Sequence, residues 1–357
     1  MSDSSPSATY IAALNEQLAD FLSEQRTIVT AISPHATELM DSISELATGG
    51  KRLRASLAYW GFKGAGGQDD DAAIVALGGS IELFQTAALI HDDIIDASDT
   101  RRGNPSIHRR FEAIHRREKW HKNAERFGES AAILAGDLCL SLSEQLFGTI
   151  GNVPRQTRII FDEMRLQVMA GQYLDVLEEN AGPVWDPAGA LDRARSILRY
   201  KSAKYSAENP VLLGASLAGA NQHLLEGYSR FALPLGEAFQ LRDDVLGVFG
   251  DPATTGKPSG DDLREGKRTE LIAHGLQLSS ESERTFIQSR LGAADLSDAE
   301  VAQMSQLLVD CGALAATERS IEQLSTQSFE ALAELDIPEE SRQALRIIGE
   351  AAVNRSN

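Results

Sequence analysis

The sequence His91-Asp92-Asp93-Ile94-Ile95-Asp96 directly follows a long apolar segment. On an α-helix of 3.6 residues per turn, Asp92 and Asp96 are four residues apart and face the same way, with Asp93 beside them. Carboxylates at this spacing repel one another unless a cation lies between them, and an all-oxygen ligand set suits Mg²⁺. Mg²⁺ usually completes its coordination shell with water and phosphate oxygens. The stretch therefore predicts half of a metal–phosphate site, with a solvated acidic helix end as the alternative.

A second acidic pair, Asp243-Asp244, ends another apolar segment that has helical periodicity. Two acidic groups that each close a hydrophobic helix are poorly explained as unrelated pieces of surface. If the two helices run antiparallel in one bundle, their carboxylates face a shared cavity from opposite walls. Such an arrangement can clamp a diphosphate, so we predict that both clusters serve one site.

Helical periodicity extends over almost the whole chain. The clearest predicted helices cover residues 10–32, 72–96, 124–147, 159–179 and 226–249. Short Gly-, Pro- and Asp-rich segments separate them, and we find no clear strand alternation, internal repeat or low-complexity linker. The sequence therefore predicts one large all-α domain over residues 1–357, with residues 1–8 disordered.

Composition and charge exclude several classes of protein. Of the 357 residues, 42% are hydrophobic and 24% are charged, as in a globular protein with a substantial core. The net charge of −18 argues against nucleic-acid binding, because a polyanion would be repelled over most of the surface. Cys139 and Cys311 are predicted to be reduced core thiols. We find no signal-peptide pattern and no run of about 18 apolar residues, so we expect a cytoplasmic protein without a transmembrane segment.

A third chemical stretch, Gly49-Gly50-Lys51-Arg52-Leu53-Arg54, precedes both acidic groups. Its glycines permit a tight turn, and the basic residues that follow can hold a phosphate by charge-assisted hydrogen bonds. If a helix starts here, Lys51 and Arg54 share one of its faces. The alternative is an ordinary basic helix start, although cations at a helix N-terminus oppose the helix dipole.

In this order, the motifs resemble those of the trans-isoprenyl diphosphate synthases, also called polyprenyl synthetases. The resemblance runs from about Gly49 to Thr269 and adds Arg101-Arg102-Gly103, Gly171-Gln172, Lys201 and Gly256-Lys257. It implies a large orthogonal helical bundle around a central cavity, the isoprenoid synthase fold. It also implies a homodimer that joins isopentenyl diphosphate head to tail to an allylic diphosphate, using three Mg²⁺ ions per site.

The resemblance further implies roles for individual residues. The implied metal ligands are Asp92, Asp93, Asp96, Asp243 and Asp244, which would act in catalysis together with Arg101, Lys201 and Lys257. Positions that match those holding isopentenyl diphosphate are Lys51, Arg54, Gln85 and Arg102. Positions that match those holding the allylic diphosphate are Arg101, Lys201, Ser202, Gln240, Lys257 and Lys267. Two departures stand out: Gly247 replaces an Asp that many members carry, and Ser202 replaces a Thr but keeps its hydroxyl.

Product length is predicted from the residues that precede Asp92. Ala88 and Ala87 lie four and five positions before it, where family members that stop at fifteen carbons commonly carry an aromatic residue. A growing chain could pass both alanines and meet Phe84, about 12 Å below the metals at 1.5 Å per residue. We therefore predict geranylgeranyl diphosphate (C20), with longer chains as the next alternative. The competing interpretation is that Phe84 packs in the core, away from the tunnel.

Several alternatives remain open from the sequence. Other products are farnesyl or longer polyprenyl diphosphates, and rival functions are a class I terpene cyclase or a non-catalytic synthase subunit. A cyclase would not need the basic groups at 49–54 and Arg102, and a non-catalytic subunit would be expected to lose one acidic cluster. The basic run 108–122 is either a lid over the diphosphates or, as we favour, a solvated amphipathic helix. For His91 we favour a structural role.

Overall fold

A computed structural model describes residues 6–69, 71–251 and 259–354. The chain divides into two compact units, an N-terminal unit that ends at Pro154 and a C-terminal unit that begins at Arg155. Most of the described residues in both units are helical, which confirms the predicted all-α class. Whether the two units form the single predicted domain stays a prediction.

The N-terminal unit contains six α-helices and one small hairpin among its described residues. The helices are α1 (Pro6–Ile32), α2 (Thr37–Thr48), α3 (Leu53–Gly64), α4 (Ala72–Ile95), α5 (Ile107–Arg117) and α6 (Ala124–Phe147), with a 3₁₀ turn at Pro34–Ala36. Residues 6–8, which we expected to be disordered, belong to α1; residues 1–5 lie outside the described part of the chain. The hairpin pairs β1 (Thr100–Arg101) with β2 (Asn104–Pro105) in antiparallel register, a short strand pair that the sequence pattern did not predict.

Helix α4 is the central apolar helix of this unit. The Asp71 side chain accepts a hydrogen bond from the Ala73 N–H and so begins the helix. Side chains such as Leu83 and Phe84 are fully buried along its length. By length and composition α4 could cross a membrane, but 72% of its most apolar window is buried within the protein, as in a core helix.

The C-terminal unit begins with α7 (Arg155–Ala181) and α8 (Ala190–Ile197), which continues directly into a π-helix, Leu198–Glu208. The remaining helices are α9 (Asn209–Leu217), α10 (Gln222–Phe249), α11 (Asp261–Glu265), α12 (Glu270–Leu278), α13 (Glu281–Arg290), α14 (Asp298–Asp310), α15 (Ala313–Glu334) and α16 (Glu339–Val353). Two 3₁₀ turns, Gly182–Val184 and Pro187–Gly189, connect α7 to α8. Capping boxes at Ser280 and Ser297 begin α13 and α14, so sequence-local hydrogen bonds set these boundaries.

The start of α3 differs from the prediction for the motif at 49–54. Helix α3 begins at Leu53, and Arg52 precedes it with a left-handed φ of 54°. Lys51 therefore lies outside the helix, and the expectation that it shares a helix face with Arg54 was wrong. The physical reason is the turn that starts at Gly50, whose φ of 110° delays helix formation.

Candidate active site

The first acidic cluster lies at the C-terminal end of α4. The Asp93 side chain is 1% exposed, and Asp92 and Asp96 are partly buried. Arg101 Nε donates to Asp93 Oδ1 at 2.8 Å, and its Nη2 contacts the same carboxylate and lies 3.9 Å from Asp92 Oδ2. Although burial opposes it, this pairing raises the pKa of Arg101 above its ordinary value. The cluster therefore has its own fixed counter-charge.

The hairpin positions two consecutive arginines for different tasks. Arg101 and Asn104 pair across it, and the loop residues Arg102 and Gly103 both have positive φ, 55° and 78°. A two-residue loop of this kind is the turn that matches the twist of a tight hairpin. While Arg101 contacts Asp93, Arg102 extends to α2, where its Nη1 donates to the Leu46 carbonyl at 3.1 Å.

Arg102 lies directly against the backbone of the glycine turn. A Cβ added to Gly49 would lie 2.8 Å from Arg102 Nη1, and one added to Gly50 would lie 2.8 Å from Nη2. Side chains at these positions would displace the guanidinium. The close approach of Arg102, which the sequence could not show, leaves little room for a side chain at either position, and the φ of 110° at Gly50 independently favours glycine.

Four guanidinium groups influence one another in this part of the N-terminal unit. Partial burial, together with the charges of Arg52, Arg101 and Arg54, lowers the pKa of Arg102, while Glu82 opposes the shift. Arg52 is committed to the core, because its Nη1 is 3.1 Å from the buried Glu82 carboxylate. A group of cations that repel one another beside a backbone turn is suited to an anion with several oxygens.

The second acidic cluster lies near the end of α10. Asp244 is 8% exposed, and its Oδ1 accepts a hydrogen bond from Gln240 Nε2 at 2.8 Å. Burial, followed by the negative charge of Asp262, raises the pKa of Asp244 to about 8; Asp243 adds to the shift and Lys267 opposes it. This environment favours the protonated form of the Asp244 carboxyl near neutral pH.

Asp262, on α11, is a site residue that the sequence reasoning missed. A Cβ added to Gly247 would lie 2.0 Å from Asp262 Oδ2 and 2.8 Å from Oδ1. The carboxylate therefore occupies the space where a side chain at position 247 would begin. The signals were present in the sequence: a glycine three residues after Asp244, and the acidic segment Asp261-Asp262 shortly before Lys267.

The lysines of the C-terminal unit are held by carboxylates. Lys201 Nζ lies 2.5 Å from Asp175 Oδ2 on α7. Lys267 Nζ lies 2.6 Å from Glu265 Oε2 and 3.6 Å from Asp262 Oδ1. Lys267 is thus next to Asp262, while its role in substrate binding stays a prediction. Lys257 lies outside the described residues.

The π-helix that carries Lys201 and Ser202 packs closely against two neighbouring helices. A Cβ on Gly171 of α7 would lie 2.3 Å from the Lys201 backbone nitrogen, and one on Gly236 of α10 would lie 2.4 Å from the Ala203 carbonyl oxygen. Long π-helical segments are rare and often occur at functional sites. Here two glycines allow α7 and α10 to hold this segment between them.

The donor set in both units fits a hard cation. Among residues 6–69, 71–251 and 259–354, no three His, Cys, Asp or Glu side chains form a preformed metal shell. This arrangement is compatible with Mg²⁺, which is usually bound by one or two carboxylates and completed by water and substrate phosphates. In the described C-terminal unit, the buried Nε2 of Gln172 has no hydrogen-bond acceptor, so it is available to a ligand or to water.

The predicted chain-length residues all lie on α4. Phe84 and Ala87 are fully buried, Ala88 is partly buried, and Gln85 lies one residue beyond Phe84 with a partly exposed side chain. Burial is expected both for the floor of a tunnel and for ordinary core packing. The role of Phe84 stays a prediction.

Two features that the sequence left open have structural roles. His91 Nε2 lies 3.3 Å from the Ile133 carbonyl, and its ring fills the space above Gly136 of α6. In the basic run, Arg110 Nη2 binds Glu38 of α2 at 2.8 Å. These contacts join helices within the N-terminal unit.

Comparison with known proteins decides the family. A family model described as polyprenyl synthetase matches residues 36–308. The chain belongs to the polyprenyl synthetase family. Its members include prenyltransferases that lengthen isoprenyl diphosphates, and this chain is an enzyme of that kind.

Solved and curated members of the polyprenyl synthetase family resemble the chain over most of its length. The crystal structure of geranylgeranyl pyrophosphate synthase from Corynebacterium glutamicum, complexed with isoprenyl diphosphate and magnesium, is 36% identical, with a TM-score of 0.91 and coverage of 97% of this chain and 99% of that one. Geranylgeranyl diphosphate synthase of Sulfolobus acidocaldarius is 32% identical over 79% of this chain and 80% of its own length. Geranylfarnesyl diphosphate synthase of Aeropyrum pernix is 31% identical over 76% and 80%, respectively.

Proposed function

We propose that the chain catalyses the Mg²⁺-dependent head-to-tail condensation of isopentenyl diphosphate with an allylic diphosphate. The observation that carries this proposal is the N-terminal unit's pairing of an acidic cluster, held by Arg101, with a group of arginines around the glycine turn. The reaction needs two diphosphates treated differently, and these residues supply two different environments. A terpene cyclase holds one diphosphate and would leave the arginine group without a task.

The acidic residues would hold the allylic diphosphate through Mg²⁺. We assign metal binding to Asp92, Asp93 and Asp96 at the end of α4 and to Asp243 and Asp244 on α10, where Asp262 would supply the acidic group that position 247 lacks. These carboxylates would hold Mg²⁺, which when bound would supply neutralisation of the charge that develops as the diphosphate leaves. The oxygens of the allylic diphosphate would be bound by Arg101, Lys201, Gln240, Lys257 and Lys267. Ser202 would add a hydroxyl donor. We propose three Mg²⁺ ions per active site.

The second diphosphate stays attached to its substrate and needs only to be held in place. We assign isopentenyl diphosphate to Lys51, Arg54, Gln85 and Arg102; two of these, Arg54 and Arg102, belong to the arginine group. Departure of the diphosphate group from the allylic substrate would leave an allylic cation. The alkene of isopentenyl diphosphate would then attack this cation, and the product would lose a proton. No side chain acts as a nucleophile, and the released diphosphate would take the proton.

We propose geranylgeranyl diphosphate as the main product. Ala87 and Ala88 have small side chains at the positions five and four before Asp92. Phe84 is the first aromatic side chain beyond them. Relatives that make C20 and C25 products resemble the chain to a similar degree, so a C25 or longer product is the second candidate. Chromatography of the products of Phe84→Ala tests the assignment: longer products are expected, and an unchanged length would remove Phe84 as the floor.

We further propose a cytoplasmic homodimer. Exposed apolar side chains on α6, Ile133 at 47% and Leu134 at 61%, support a protein partner at this helix. Sedimentation of Ile133→Glu/Leu134→Glu should give a monomer; a dimer that persists would exclude this face.

Assay of the purified chain alone tests the function. We expect Mg²⁺-dependent elongation of C5, C10 and C15 allylic diphosphates by isopentenyl diphosphate, with activity lost on chelation. Consumption of an allylic diphosphate without isopentenyl diphosphate would favour a cyclase. Activity only with a second polypeptide would favour a subunit role.

A further inference from the structure

The basic run that follows the hairpin divides into two parts in the structure. Arg109 Nε binds Asp99 at 2.7 Å and its Nη1 binds Glu112 at 2.8 Å, while Arg110 binds two glutamates of α2. These two arginines therefore form ion pairs within the N-terminal unit. The later basic residues lie on the surface, and the proposed reaction gives them no task.

We define the basic loop as residues 116–126, the end of α5, the connection and the start of α6. It contains five Lys or Arg and two Glu, in a chain whose net charge is −18. All five basic side chains are exposed, Arg126 at 82%. Arg116, Arg117 and Arg126 pair with Glu112, Glu118 and Glu129, respectively, whereas no described carboxylate lies within ion-pair distance of Lys119 or Lys122. The loop is a basic patch on an acidic protein.

Trp120 lies in the middle of this patch with 48% of its surface exposed. Its ring packs edge-on against Phe127, with centroids 5.2 Å apart, and against His115 at 5.9 Å. The indole is thus held by the protein on part of its surface while about half of that surface stays exposed, and Lys119 and Lys122 lie close to it in the sequence. Tryptophan with this mixture of apolar and polar surface is enriched where proteins meet the headgroup region of membranes.

The backbone around Trp120 holds both lysines in the left-handed region, with φ of 53° at Lys119 and 75° at Lys122. At the end of α5, the Trp120 N–H donates to the His115 carbonyl at 3.2 Å, and Lys119 occupies the position that glycine usually fills. Glycine would adopt both conformations with less strain. The chain therefore carries two cations at positions where backbone energetics alone would favour glycine, which points to a use for the charges.

We propose that the basic loop docks the protein on an anionic lipid surface, with the Trp120 ring in the headgroup region. Clustered Lys and Arg are attracted to anionic leaflets, and an amphipathic aromatic ring adds a second signal. Repulsion by the acidic remainder is limited, because charges more than about 8 Å from the membrane are largely screened at physiological ionic strength. If the proposed function holds, this surface would deliver an amphipathic prenyl product to a membrane; the binding itself does not depend on that function.

Flotation of the full chain with vesicles of phosphatidylglycerol and phosphatidylcholine tests the proposal. We expect binding that falls with added salt and is at least about tenfold weaker for Lys119→Gly/Lys122→Gly. Because glycine relieves the backbone strain, this variant should melt no lower than the wild type and should elongate soluble substrates normally. The control Arg230→Gln/Arg319→Gln removes two exposed charges elsewhere and should bind like the wild type. Unimpaired binding by the glycine variant would overturn the proposal.

Trp120 fluorescence separates a membrane from other polyanions. In a Trp185→Phe background, where the remaining tryptophan, Trp60, is buried, vesicles should shift the Trp120 emission to the blue, and brominated lipid should quench it. Equal affinity for soluble polyglutamate without an emission shift would indicate an acidic protein partner and overturn the lipid assignment. An inactive enzyme that still binds vesicles would count against the proposed function alone.

Discussion

The two acidic clusters differ in how their charge is balanced. In the N-terminal unit, Arg101 folds back from the hairpin and pairs with Asp93 at 2.8 Å. In the C-terminal unit, the buried Asp244 receives a hydrogen bond from Gln240 and feels two further carboxylates, so its pKa rises to about 8. The first cluster has a fixed cation in direct contact with its buried carboxylate, whereas the environment of Asp244 in the second favours the protonated carboxyl, with Lys267 Nζ 3.6 Å from Asp262 Oδ1.

This difference has a consequence for metal binding. A cation that joins the second cluster must displace the proton of Asp244, so binding there is linked to pH. At the first cluster, the cation joins carboxylates that already have a charged partner. Two motifs that look alike in the sequence are therefore expected to respond differently to pH and to the loss of a neighbouring base.

The largest expected effect is the loss of Arg101. In Arg101→Gln, the Asp93 carboxylate loses its fixed partner and, under the proposed function, the departing diphosphate would lose a cation, so kcat should fall by about 10²–10³. Lys267→Gln, the matching change beside the second cluster, should lower kcat by about tenfold, because Lys267 also pairs with Glu265. Steady-state kinetics at saturating Mg²⁺ compare the two, and equal losses would contradict the distinction.

Gly247→Ala should displace the Asp262 carboxylate from the second acidic cluster by a steric clash. The new Cβ would lie 2.0 Å from Asp262 Oδ2, so the carboxylate must move, at a cost of about 1–3 kcal/mol in the free energy of unfolding. The gain in helix propensity offsets part of this cost.

Two further variants check the cause of the Gly247→Ala effect. Gly151→Ala should leave the melting temperature unchanged, because its Cβ meets no atom within 4 Å. Adding Asp262→Ala to Gly247→Ala should restore stability in thermal unfolding. If it does not, Asp262 is not the group that fills the space.

The free energy of unfolding of the metal-free protein should depend on pH through Asp244. The pKa of an Asp side chain in the unfolded chain is about 3.9, whereas the pKa of Asp244 in the folded protein is about 8. Between these values the folded state binds more protons, so this contribution lowers stability as pH rises, by on the order of 1 kcal/mol or more. Denaturant titrations from pH 5 to 8 on Asp244→Asn should lack this slope. An unchanged slope would assign the proton to another group.

Glu270 gives the opposite sign and serves as an internal comparison. Burial disfavours its charge, but hydrogen bonds from His274, Arg195 and Ser320 prevail and lower its pKa to about 2. Its stabilising contribution is therefore present above its ordinary pKa of 4.5 and is lost as pH falls towards 2. Glu270→Gln should change stability in acid and leave the slope above pH 5 intact.

The smallest expected effect concerns Asp175. Its pair with Lys201 is part-buried, and Asp175→Asn would remove the charge that fixes the lysine. We expect kcat to fall about two- to fivefold, with the KM for isopentenyl diphosphate unchanged, because a partly exposed ion pair contributes about 1 kcal/mol or less. A larger change in the isopentenyl diphosphate KM would place Lys201 at the other substrate.

Much of the secondary structure followed from the sequence because helix signals are local. The predicted helix at 124–147 has the observed bounds, and α7 and α10 extend each of their predictions by a few residues. The π-helix was not predicted, because it depends on the packing of Gly171 and Gly236 against one segment. The prediction that Lys51 and Arg54 share a helix face was wrong, because the turn that starts at Gly50 leaves Lys51 outside α3.

The motif residues could be found from their spacing, but their partners could not. The contact of Arg102 with the Gly49 turn and that of Asp262 with Gly247 join segments separated by 53 and 15 positions in the sequence. In both cases the informative residue was a glycine, whose lack of a side chain has meaning only when the neighbouring atom is known. The ordered motifs therefore identified the family, while the counter-charges of the two clusters required the structure.

Calorimetric titration with an unreactive allylic diphosphate analogue and Mg²⁺ tests most directly whether both clusters act on one ligand. Wild type, Asp92→Asn, Asp243→Asn and the double variant form a double-mutant cycle. We predict that each single change weakens binding by about 100-fold or more, and that the double variant loses little beyond this, with a coupling energy above about 1 kcal/mol. Losses that add within about 0.5 kcal/mol would mean that the clusters act independently and would contradict the account.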